Sequence, residues 1–79
     1  MPLYFFHLTD GEDTLIDAEG VELGGLDDAK AMALRQARDI ISHEALKGLI
    51  NMNQRIEVRD ESGATVFSID FEDAVHVRR

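Results

Sequence analysis

The sequence predicts an α+β fold of ββαββ order: a largely antiparallel four-stranded sheet with one long helix packed on one face. Three observations carry this expectation. "RIEVRD" and "TVFSIDF" alternate apolar and polar residues on either side of the turn "ESGA", the pattern of a β-hairpin. Residues 26–47 contain no Gly or Pro and are rich in Ala, which favours helix. "LYFFHL" is aromatic and precedes the turn chemistry "TDGED" and the short run "TLID", a second strand–turn–strand unit.

In chain order, "LYFFHL" (3–8) is the first strand, with Tyr4, Phe6 and Leu8 turned to the helix. Asp10-Gly11 supplies the positive φ a tight reversal needs, and "TLID" (14–17) returns. "AEGVELGG" (18–25) reads as a loop with three glycines. The helix from Leu26 to about Lys47 places Leu26, Ala29, Ala33, Ala37, Ile40 and Ile41 on one stripe. Asp27 and Asp28 favour its positive N-terminal end, and Gly48 is placed to end it. The alanines let the helix lie close to a sheet whose bulk comes from Ile16, Ile56, Val58, Phe67, Ile69 and Phe71. The tail 72–79 is expected as coil or as a short added strand.

Seventy-nine residues predict a single domain over 1–79. A chain this short buries only about 60–65% of its unfolded surface, yet 44% hydrophobic residues suffice for a core. With no cysteine, neither disulfides nor a thiolate zinc site can support it, which leaves oligomerisation. No apolar run approaches the ~20 residues of a membrane helix. "MPLYFFHL" lacks the basic start of a signal peptide, so the expected location is cytoplasmic, with no membrane contact.

Charge is unevenly placed. Residues 1–28 hold Asp10, Glu12, Asp13, Asp17, Glu19, Glu22, Asp27 and Asp28 and no Lys or Arg; the rest of the chain balances, so the net charge of -8 belongs to the first third. Such a surface repels phosphate and argues against nucleic acid. The one local alternative is Arg55, Arg59, Arg78 and Arg79.

"YFFHLTDGE", "DAEGVEL", "ALRQARD" and "IEVRDESGATVFSIDF" together resemble a family of small bacterial proteins of unknown function, with YFFHL-x-DG as its most specific motif. The resemblance spans nearly the whole chain and implies no activity. Members of that family often carry Pro-Asp where this chain has Gly24-Gly25. Gly25 is the weaker helix cap.

His7 with Asp10 and Asp13, extended by Glu12, Asp17 and Glu19, is the densest cluster of groups able to hold a divalent cation. Calcium loops place a glycine at the sixth position and a glutamate at the twelfth. "DGEDTLIDAEGVE" does not, so a turn with solvated acids is the expected reading, and no cofactor is expected. Ser42 and His43 are helix neighbours that cannot face each other, and Ser62 and Ser68 lack an acid–base partner. "EGVELGGLDDAK" has no phosphate-loop spacing. The chain therefore reads as a non-enzyme.

If Tyr4, Phe6 and Leu8 face the helix, Leu3, Phe5 and His7 line the other face, where Val66 can join them. This row is covered either by Val75 and Val77 of the tail or by another chain. The expected function is a protein-association module, a homodimer meeting through Leu3, Phe5, His7 and Val66. The alternative is a small-molecule- or metal-binding regulatory protein using His7 and the acidic loops.

Overall fold

A computed structural model describes residues 1–78. Strands β1 (Leu3–Asp10), β2 (Asp13–Leu15) and β3 (Val21–Glu22) precede helix α1 (Leu26–Leu46). Strands β4 (Gln54–Arg59) and β5 (Thr65–Asp70) follow, then a short helix, α2 (Phe71–Ala74). The sheet runs β2-β1-β4-β5, with β3 also on β1, and every pairing is antiparallel. The α+β class and the single long helix on the sheet hold.

The strand count is five rather than four. "AEGVELGG" is not all loop: Val21 and Glu22 pair with Tyr4 and Leu3. Two residues are too short for any periodicity to show. The tail is neither coil nor strand over its first part. Phe71 and Ala74 are buried within α2, Val75 packs on the core, and Arg38 Nε donates to the Ala74 carbonyl at 2.8 Å. Arg79 lies outside the described residues.

The β1–β2 turn narrows to Gly11-Glu12, with Gly11 at φ 61. A glycine at the first central position is what a type II′ hairpin requires. Helix α1 begins at the N-cap Gly25, which offers no side-chain cap, and Asp27 and Asp28 occupy its first turn. Ala29, Ala33 and Ala37 are wholly buried, as their four-residue spacing predicts.

Cross-strand rows meet that stripe. Leu15, Leu8, Ile56 and Ile69 stand side by side across four strands, and Phe6, Val58 and Phe67 form the next row. Tyr4, Phe6, Ile56 and Val58 are buried with the alanines. Ile16, expected in the core, is instead 62% exposed. A helix with its side chains is about 10–12 Å across, whereas four strands at ~4.8 Å spacing extend over ~14 Å. One helix cannot cover the row from end to end. On the β5 flank α2 completes the cover, and Lys30 lies 5.6 Å from the Phe67 ring centroid. The β2 flank has no such element among the described residues.

Candidate functional site

His7 is buried on the face away from α1, and its Nδ1 accepts the Asp17 backbone N–H at 3.0 Å. That bond places the ring proton on Nε2. Phe5 is half-buried. Its ring lies against Gly20, where an added Cβ would come within 2.9 Å of it and 3.0 Å of the Tyr4 carbonyl. Gly20 at φ 74 is therefore required both by backbone conformation and by space. The cover over Phe5 and His7 is thus the 16–20 loop. The tail packs beside α1, and Val77 is 73% exposed. Leu3 is half-buried, and Val66, at the β-bulge, packs against the core cluster.

Asp17 holds this loop down. Its Oδ2 accepts the Phe6 N–H at 3.0 Å, and its Oδ1 accepts those of Gly20 at 3.1 Å and Glu19 at 3.2 Å. Phe6 lies in the gap between the β2 ladder, which ends at Leu8↔Leu15, and the β3 ladder, which starts at Tyr4↔Val21. The carboxylate takes the place of a missing strand there. Desolvation pushes the Asp17 carboxyl upward, but the N–H donors of Phe6, Gly20 and Glu19 outweigh it and hold it below the usual range. The short "D-x-x-G" stretch after a strand was the available signal, because Asp bonds backbone groups two or three residues on.

By pinning the loop, Asp17 also shapes a groove of about 220 Å³ on the uncovered flank of α1. Phe6, Leu8 and Ile56 form its floor. Gln36 and Ile40 of α1 make one wall, and Leu15, Ile16 and Asp17 the other. Leu15 is 70% exposed although it continues an apolar row whose centre, Ile56, is 2% exposed. Sequence reasoning missed this groove, since it arises from the width of the sheet against one helix.

The other candidates are not brought together. Asp10 accepts from Asn51 Nδ2 at 2.8 Å, and Asp13 pairs opposite Asp10 across the turn. Among the described residues no three His, Asp or Glu side chains converge on a common point suited to a metal. Arg55 pairs with Asp70 at 3.4 Å and Arg59 with Glu57 at 2.6 Å. Glu57 and Asp60 both titrate below the usual range, Glu57 chiefly through Arg59 and Thr65, Asp60 chiefly through Ser62. Gln54 is buried and donates to both Glu44 carboxylate oxygens at 3.1 Å, tying the helix end to β4. No helix among the described residues is long and apolar enough to cross a membrane.

A family model described as "Domain of unknown function (DUF6894)" matches residues 3–72. No curated protein and no solved structure matches the chain.

Proposed function

The chain belongs to the DUF6894 family, a domain of unknown function, and on that footing we propose that it is a non-enzymatic protein-association module. Its contact surface is the groove between α1 and the β2 edge. The observation that carries this reading is the exposure of Leu15 and Ile16, 70% and 62%, at the β2 end of an apolar row that the single helix covers only over Phe6 and Ile56. Burying a Leu or Ile side chain is worth about 1.5–3 kcal/mol. Covering what these two expose contributes on the order of 2–4 kcal/mol to an association.

The row Leu3, Phe5 and His7, the first surface to consider for a homodimer, is largely engaged within the chain, and Val66 packs on the core. The groove supports association better. Ligand or metal binding at His7 has less support, since Nδ1 and both Asp17 oxygens already serve backbone donors.

A photoreactive diazirine residue at position 15, in the protein as made by its own cell, tests the reading. The expected result is a discrete protein adduct that is lost when Ile16→Glu is added and is absent with the same residue at position 49. An adduct of twice the chain mass would identify a homodimer as the form of association. No adduct at position 15, or equal yields at 15 and 49, would refute it.

A further inference from the structure

The groove has a charge as well as a shape. Its outer wall is built entirely from residues 1–28, which carry eight acids and no Lys or Arg. Asp17 stands in the lining with its oxygens on backbone N–H groups, and Asp13 opens β2 two residues before Leu15. No cation lines the groove. The cations of α1 with defined neighbours lie on the other flank, Lys30 over Phe67 and Arg38 on Ala74. Arg55 and Arg59 pair with Asp70 and Glu57 on strand β4, on the face that carries His7.

We infer that the groove receives a cationic amphipathic segment of another protein, an apolar ridge flanked by Lys or Arg. This rests on the association reading above and names the partner's chemistry. The apolar floor and Leu15 and Ile16 take the ridge, and Asp13 together with the net negative charge of residues 1–28 favours the flanking charges. A second copy of this chain is the poorer occupant. A two-fold contact repeats one patch against itself, so it would set the acid-rich segment 1–28 against its own copy in a protein of net charge -8. An amphipathic helix fits a narrow apolar floor bordered by an acid-rich segment, with anchors at i, i+3 or i+4, and i+7.

The test uses designed peptides of about 15 residues, long enough for a helix to form on binding. One carries Leu at helical spacing with Lys elsewhere. The second replaces Lys with Glu, and the third keeps Lys but replaces Leu with Ser. Each is titrated calorimetrically into the full chain and mapped by amide chemical shifts. The Lys/Leu peptide is expected to bind at least about tenfold tighter than either control and to weaken between about 50 and 500 mM salt. Its shifts should centre on Leu15, Ile16, Gln36 and Ile40. Ile16→Ser should cost about tenfold with circular dichroism unchanged, while Leu49→Ser should cost nothing. Equal binding of the Lys and Glu peptides overturns the inference, as does equal binding of the Leu and Ser peptides, no binding by any of them, or a shift map outside the groove. If the position-15 adduct still forms, association stands and only the partner chemistry falls; without that adduct, both fall.

Discussion

Replacing Asp17 with Ala removes the acceptor for three backbone N–H groups at once. The Glu19 N–H is exposed and returns to water at little cost. Phe6 is buried on the central strand, and no neighbouring strand reaches its N–H at the gap between β2 and β3. A hydrogen bond to a charged group contributes about 1.5–3 kcal/mol net. The carboxylate is half-buried, so solvent screening keeps the sum of the Phe6 and Gly20 bonds to about 2–3 kcal/mol. In a domain of this size each kcal/mol moves Tm by about 4–8 °C, giving a loss of roughly 8–24 °C. Thermal and urea unfolding followed by circular dichroism at pH 7 measure it. Asp17→Asn, which keeps one acceptor oxygen, should fall between. The sign with pH follows from the lowered carboxyl: its contribution is full above the unfolded value near 3.9 and is lost as pH falls through the lower folded value. The gap between wild type and variant should therefore narrow below about pH 4. A difference under about 0.5 kcal/mol at pH 7 would refute the role given to Asp17, because surface substitutions fall within that range.

Ala33→Phe forces a ring between α1 and the sheet where the side chain is wholly buried, and should cost at least about 1–3 kcal/mol in urea unfolding; a neutral result would turn that helix face outward. Gly20→Ala meets both the Phe5 ring and the Tyr4 carbonyl at positive φ, so a loss of about 1–3 kcal/mol is expected, with amide shifts confined to residues 5 and 16–21. Glu57→Gln should reduce the acid sensitivity of unfolding, because Glu57 titrates below its usual range and its contribution is lost as pH falls through that lower value; an unchanged pH–stability curve would contradict its pairing with Arg59.

Much of the fold was legible because most of the strands and α1 obey one period at a time. Ile56 and Val58 against Arg55, Glu57 and Arg59, and Tyr4 and Phe6 against Phe5 and His7, sort to the faces that alternation assigns. The alanine stripe set the helix–sheet contact. Elements below that length scale were hidden. Val21-Glu22 is a two-residue strand within a glycine-rich stretch. Phe71 continues the alternation of β5 in sequence, yet it begins a helix and is buried there. The staple was partly legible, since Asp17 precedes Gly20 by three residues, but its partner Phe6 is eleven positions away, and nothing local signals a gap in the neighbouring strands. The groove depends on how far α1 and α2 spread over the sheet, which only the assembled fold decides.

The central claim is that Leu15 and Ile16 are open in the free protein and covered when it works. Hydroxyl-radical footprinting, read by mass spectrometry on the purified chain and inside the cell that makes it, measures this directly. The account predicts heavy labelling of Leu15 and Ile16 in the purified protein and protection of both in the cell. Leu46 and Leu49, 85% and 79% exposed, should label alike in the two settings. Equal labelling of Leu15 and Ile16 in both, once Leu46 and Leu49 match, would contradict the claim.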